Sequence, residues 1–229
     1  MRQSILVIGD CHFPWALPRT LNAIYDVVAK TRPQVIIQVG DLYDLFSFSK
    51  FPRTHNIMTP RQELTRARTC AEVFWSKMIA AAPNAKRFQL LGNHDDRIWK
   101  RTFEAMPELE SLIGNPLKNM FSFSKVESFD SSRENLIIGK ICFIHGFRSR
   151  IGDHARHNGM STVCGHSHMG GVVYERLGSK TIWELNAGYV GNPMARALSY
   201  GMQRRFSRWT QGYGIIDSLG PRFVALPNP

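Results

Sequence analysis

Aspartate, asparagine and histidine recur at equivalent places along this chain, each just past a short apolar run. Val7-Ile8-Gly9 leads into Asp10-Cys11-His12, Gln38-Val39-Gly40 into Asp41, and Leu90-Leu91-Gly92 into Asn93-His94-Asp95. Phe143-Ile144 leads into His145-Gly146, and Val163-Cys164-Gly165 into His166-Ser167-His168. Carboxylate, amide and imidazole donors without a thiolate suit manganese, iron or zinc in an open geometry. The donors outnumber what one ion takes, so they imply two ions and a carboxylate shared between them. Two such ions can clamp the attacking and leaving oxygens of an in-line displacement.

Ser4–Ile8, Val35–Val39, Arg87–Leu91, Ile141–Ile144 and Ser161–Cys164 read as the strands that deliver these residues. Ile182–Leu185, Gly214–Ile216 and Phe223–Leu226 are weaker candidates. Most of the first group are continuously apolar, as in a sheet covered on both faces. The carboxyl ends of strands form the crevice of an α/β sheet, so side chains from five strand ends can converge there. Gly9, Gly40, Gly92 and Gly165 each precede a donor and permit the tight turn that aims it. Leu21, Ile24, Tyr25 and Val28 form a helical stripe behind Pro18. Thr59-Pro60-Arg61-Gln62 is a capping-box helix start whose apolar face is Leu64, Ala67, Ala71, Phe74, Trp75 and Met78. The alternation argues α/β in a single domain over residues 1–229. Only Ile98–Asn135 breaks the rhythm, and it reads as a helical insertion at about 98–135.

The chain has 229 residues, 43% of them hydrophobic, enough for a sizeable core. No run of about eighteen apolar residues suggests a membrane span. The start, Met1-Arg2 running into Ser4–Ile8, lacks a leader pattern, so the expected location is the cytosol. Cys11, Cys70, Cys142 and Cys164 lack CxxC spacing and read as reduced thiols, which excludes zinc fingers and redox dithiols. The net charge is +11, and 20 of the 29 basic residues are arginine. That bias suits a polyanionic partner, nucleic acid or nucleotide. Arg204-Arg205-Phe206-Ser207-Arg208-Trp209 reads equally as a grip on single-stranded nucleic acid or as cation–π packing on a hairpin. Lys100, Arg101, Phe103, Lys118, Phe121 and Phe123 carry the same two readings, with a lean to fold. Asp95 reads as the N-cap of a helix from Asp96. His55, His154 and His157 match no motif, and the last two read as solvated.

Taken in order, Asp10-x-His12, Gly40-Asp41-x-x-Asp44, Gly92-Asn93-His94-Asp95, His145-Gly146 and Gly165-His166-Ser167-His168 resemble the motifs of the calcineurin-like metallophosphoesterases. Asn186-Ala187-Gly188 resembles a further family feature. The resemblance implies a pair of packed mixed β-sheets flanked by helices, the four-layer sandwich of that family. It implies two divalent ions, manganese first, with iron, zinc or nickel as alternatives. Asp10, His12 and His168 would hold one ion, Asn93, His145 and His166 the other, and Asp41 would bridge them. His94 would protonate the leaving oxygen, and Asp44 would orient it. Two divalent ions against Asp10, Asp41 and a bridging hydroxide leave a site of about +1, attractive to phosphate.

The family's phosphoprotein phosphatases carry Arg-Gly after the second motif, where this chain has Leu45-Phe46. The missing arginine favours a diester, although Arg97 or Arg148 could stand in for it. The expected activity is therefore a phosphodiesterase or nuclease acting on nucleic acid or nucleotides. A phosphomonoesterase is the alternative, and a non-catalytic binding module the third reading. Arg97, Arg148, Arg204, Arg205, Arg208 and Trp209 are the candidate substrate contacts.

Overall fold

The computed structural model describes residues 4–50, 58–109, 120–130, 134–198 and 208–227. Three apolar strands, β1 (Ile5–Ile8), β2 (Val35–Gln38) and β3 (Lys86–Leu90), run parallel at the centre of the first sheet. Ile5 stands opposite Val35, and Val35 opposite Lys86. A three-residue strand, β4 (Glu127–Phe129), extends one edge in parallel. The second sheet contains β5 (Leu136–Ile138), β6 (Ile141–Phe143), β7 (Ser161–Cys164), β8 (Gly170–Leu177) and β9 (Lys180–Ala187), in the order β5-β6-β7-β9-β8. Two late strands, β10 (Gly212–Asp217) and β11 (Gly220–Ala225), complete the first sheet as β11-β10-β1-β2-β3-β4, with β10 antiparallel to β1.

The period-two alternation of a strand explains why the central strands are apolar throughout. Ile5, Val7, Val35, Ile37 and Leu90 face the second sheet and pack with Phe143, Val163 and Leu185. Leu6, Ile8 and Ile36 face the other way, into a cluster that includes Ile24, Val28, Phe74 and Trp75. Those last four come from α1 (Pro18–Thr31) and α2 (Pro60–Ala81). The order of layers is thus helix, sheet, sheet. A short helix, α4 (Asp153–Asn158), adds contacts to β7, β8 and β9 of the second sheet. The architecture is the α/β arrangement of two mixed sheets flanked by helices that the sequence predicts.

The start of α2 follows its sequence signature. Thr59 accepts the Gln62 backbone N–H, and the Gln62 side chain accepts the Thr59 N–H in return. Burying a side chain such as Phe74 contributes roughly 1.5–3 kcal/mol, and it is wholly buried here.

Two expectations change. The 98–135 stretch is not simply a helical insertion. It opens with α3 (Arg97–Ala105), but β4 belongs to the main sheet, and residues 110–119 and 131–133 lie outside the described residues. The strand β8, preceding β9, was not anticipated, because most of it is only half-buried or exposed and its Gly-Gly start and Glu175-Arg176 end hide the pattern.

Candidate metal centre

The strands β1, β2, β3, β6 and β7 end side by side, and the residues just beyond them converge. The backbone there is unusual. His12, Asp41, His166 and His168 have φ of 51°, 51°, 66° and 60°. Non-glycine residues avoid this left-handed region, which clusters at functional sites when the surroundings enforce it. Gly40 has φ of 99°, and a Cβ there would overlap the His145 ring. Gly92 is needed for a different reason from a turn. A Cβ at Gly92 would overlap the carboxylate and backbone of Asp41.

Asp10, His12, Asp41 and His168 form one buried cluster with ligand atoms within 4.8 Å of one another. His12 Nδ1 lies 3.0 Å from Asp44 Oδ1, so its proton points at that carboxylate and the Nε2 lone pair faces inward. His12 Nε2 and His168 Nε2 are 3.0 Å apart. Asp10 Oδ2 is buried without a hydrogen-bond partner, 3.8 Å from His168 Nε2. Buried carboxylates and facing imidazole lone pairs are stable when paired or coordinated to a cation. The donors present therefore fit a divalent ion.

A second set lies on the other side of Asp41. The Asn93 Oδ1 oxygen is 3.0 Å from His145 Nε2 and 2.8 Å from His166 Nδ1. His145 Nε2 is also 3.3 Å from Asp41 Oδ2. His145 Nδ1 donates to the Val39 carbonyl at 2.9 Å, which leaves Nε2 facing Asn93 and Asp41. Asp41 thus touches both sets, and its other oxygen accepts the His94 N–H at 2.8 Å.

The protonation pattern suits ligation directly at His166 and His168. Asp10, His145 and His12 must shed protons to bind a metal; at His12 burial is outweighed by the hydrogen bond to Asp44. Burial pushes Asp10 up to about 7; the His145 ring opposes the shift and the Asp41 charge adds to it. Burial acts the same way on Asp41, yet His145 and His94 hold its carboxyl well below the usual range. Burial works against the His145 proton, but Asp41 and Asp10 raise its pKa to about 9. Burial and the His145 charge lower His166 to about 4, and burial and His12 take His168 well down. His166 and His168 are therefore neutral at pH 7, with lone pairs to offer.

His94 stands beside the cluster. Its Nδ1 lies 2.8 Å from Asp44 Oδ1, the same oxygen that takes His12. Burial would raise Asp44, but the hydrogen bonds from His12 and His94 hold it well below a normal carboxyl. Arg97, in the first turn of α3, donates to His94 Nε2 at 2.8 Å and to the Asp44 carbonyl at 2.7 Å. Asp95 does not cap α3. Its carboxylate turns inward and accepts the N–H groups of Leu42, Tyr43 and Gly92, tying the second motif to the third.

The remaining candidates are spread out. Arg148 is exposed, with its guanidinium 5.1 Å from the Phe147 ring centre. Arg208 is exposed, whereas Trp209 packs edge-on to His168 at 4.2 Å and near Tyr189 at 5.4 Å. Arg204, Arg205, Lys118 and His55 lie outside the described residues. His157 is exposed as expected, but His154 is buried against Glu184, contrary to its solvated reading. Sequence reasoning missed Tyr189, whose ring stacks on His168 at 5.3 Å. It noted Asn186 without a role; the side chain donates to Gly165 O and Ser167 Oγ and so holds the His166–His168 turn.

Comparison with known proteins places the chain in a family. Residues 3–221 match the family model described as calcineurin-like phosphoesterase. The Gene 54 protein of Mycobacterium phage D29 is 23% identical across 96% of this chain and 91% of its own length. The Gene 54 protein of Mycobacterium phage L5 is 22% identical over the same shares. A metallophosphoesterase crystal structure from Sphaerobacter thermophilus aligns with 99% of this chain and 89% of that chain, at 18% identity and a TM-score of 0.49.

Proposed function

The chain belongs to the calcineurin-like phosphoesterases and is a metal-dependent phosphoester hydrolase, and from that premise we propose that it cleaves phosphodiesters of nucleotides or nucleic acid at a two-metal centre. The observation that carries this reading is the position of Asp41, in contact with both donor sets. Asp10, His12, Asp41 and His168 would hold one ion; Asp41, Asn93, His145 and His166 would hold the other. Bound divalent ions, manganese being our first choice, would supply Lewis-acid polarisation and an activated water.

The chain's own groups divide the remaining work. Arg97 donates to His94 Nε2 at 2.8 Å, so in this state that nitrogen carries a lone pair. An arriving phosphoryl group offers Arg97 two oxygens in a fork geometry, a stronger acceptor than an imidazole. Transfer of Arg97 to the substrate frees Nε2, where His94 takes a proton and passes it to the leaving oxygen. The proton lost by the attacking water balances the one gained there. Asp44 keeps Nδ1 protonated and the ring oriented.

The diester preference rests on charge and on the turn after Asp44. Leu45 and Phe46 follow it, and the Phe46 and Ser47 N–H groups are engaged by Glu63 at 2.7 and 2.8 Å. Residues 45–49 of that turn present no guanidinium for a dianion, and Arg97, the arginine that contacts His94 among the described residues, suits the single charge of a diester. The +11 balance supports a nucleic-acid or nucleotide substrate. The test compares bis(p-nitrophenyl) phosphate with p-nitrophenyl phosphate in Mn²⁺ and in EDTA. Faster, EDTA-sensitive cleavage of the bis ester is expected; faster cleavage of the monoester would make the protein a phosphomonoesterase.

A further inference from the structure

We propose that the cleft beside the metal centre is a subsite for one nucleobase of the substrate, with Phe147 as its stacking platform. This rests on the phosphodiesterase reading of the adjacent centre. The cleft has a volume of about 340 Å³ and shares Asn93 and His145 with the second donor set. A group seated there is therefore next to the reacting phosphorus. The volume lies within the usual range for small-ligand pockets.

Phe147 lines this cleft and is 58% exposed, unusual for a large apolar side chain that follows directly on a candidate ligand turn. Its backbone is fixed from beneath. The N–H groups of Phe147 and Arg148 both donate to His154 Nε2 at 3.0 Å. His154 Nδ1 in turn faces Glu184 Oε1 at 3.3 Å, and Glu184 Oε2 accepts the His154 and Ala155 N–H groups at 2.8 and 2.9 Å. The Phe147 ring makes T-shaped contacts with His154 and His157 at 5.1 and 5.5 Å, and the Arg148 guanidinium lies 5.1 Å from its centre. A buried network holds an exposed aromatic ring in place, which lowers the ordering cost of stacking a ligand on it.

Charge decides what the cleft takes. Lys100 is paired with Asp96 at 3.0 Å, and Asp130 adds a second carboxylate to the lining. Among the described lining residues one lysine thus faces two carboxylates, so the lining does not continue a basic track for a polyanion. A neutral planar heterocycle fits it, with its face on Phe147 and its polar edge toward the Asn135 amide.

The test uses two diesters with the same leaving group, thymidine 5′-(p-nitrophenyl phosphate) and methyl p-nitrophenyl phosphate, on the Mn²⁺-loaded protein. The wild type should prefer the nucleoside ester in kcat/KM. Phe147→Ala should reduce that preference by roughly 5- to 100-fold, the range for one base–aromatic stack, mainly through KM. Phe147→Tyr should keep it. A wild type without preference, or a Phe147→Ala enzyme that loses equally on both esters, would overturn the subsite. If neither ester is cleaved, the phosphodiesterase reading fails instead. Equilibrium dialysis of thymidine 5′-monophosphate against methyl phosphate then decides the subsite: a wild-type preference lost in Phe147→Ala supports it, and equal binding of the two overturns it.

Discussion

Asp44 joins His12 of the candidate metal cluster to His94, the proposed proton donor, and replacing it with asparagine tests that link. One oxygen, Oδ1, takes both His12 Nδ1 at 3.0 Å and His94 Nδ1 at 2.8 Å, while Oδ2 is buried without a partner. In Asp44→Asn the amide nitrogen can take the place of Oδ2, so the shared oxygen and both hydrogen bonds persist while the charge is lost. Charge-assisted bonds are worth about 1.5–3 kcal/mol against roughly 1 kcal/mol for neutral ones. The two bonds together therefore weaken by about 1–4 kcal/mol. The loss should divide between two readouts. Through His12, Mn²⁺ affinity should fall by roughly 10–100-fold, the usual effect of removing a group behind a ligand. Through His94, kcat at saturating Mn²⁺ should also fall. The ring loses a carboxylate that favours its protonated form, so its pKa drops and the alkaline limb of kcat moves to lower pH. Isothermal titration with Mn²⁺ and a pH series of bis(p-nitrophenyl) phosphate turnover read the two effects separately. A variant with wild-type Mn²⁺ affinity and an unmoved alkaline limb would refute the shared role.

Three further outcomes follow from the same geometry. His94→Ala should keep its metal but lose roughly 10²–10⁴-fold in turnover, and less for nitrophenyl than for alkyl leaving groups; equal losses on both would remove His94 as the acid. Gly92→Ala should weaken Mn²⁺ binding, because the new Cβ displaces Asp41, and a variant that binds Mn²⁺ as tightly as wild type would show that the approach tolerates a methyl group. In the metal-free protein His145 has its pKa raised to about 9, so its proton stabilises the fold below about 6.5 and that stability is lost as pH rises to 9. Ligation expels the same proton, so Mn²⁺ affinity should climb from pH 6.5 to 9; a flat titration series over that range would contradict the assignment.

The convergence at the site was legible in the sequence because each donor follows an apolar strand at fixed offset. The rule that parallel strands end together groups Asp10, Asp41 and Asn93 on the first sheet and His145 and His166 on the second, and the packing of the two sheets brings the groups to one site. The supporting contacts were not legible, because their partners are remote in sequence. Asp95 looks like a local cap, yet it binds backbone 52 and 53 residues away. His154 looks like a surface residue at helical spacing, and its partner Glu184 is 30 residues on. The sharing of Asp44 by His12 and His94 joins three motifs that no local pattern connects. Their place before the donors marks the glycines as turn formers, which suits Gly40; Gly92 instead serves a close approach visible only in three dimensions. The strands β4 and β5 have three residues each, too short for an alternating pattern to register.

The most direct test of the account is the number of metal ions bound and its dependence on Asp41. Equilibrium dialysis against saturating Mn²⁺, with metal measured per chain, should give two ions in the wild type. Asp41→Asn should lose ions from both positions and lose turnover with them, because both donor sets meet at that carboxylate. One ion per wild-type chain at saturation, or an Asp41→Asn protein that retains two, would contradict the two-metal centre.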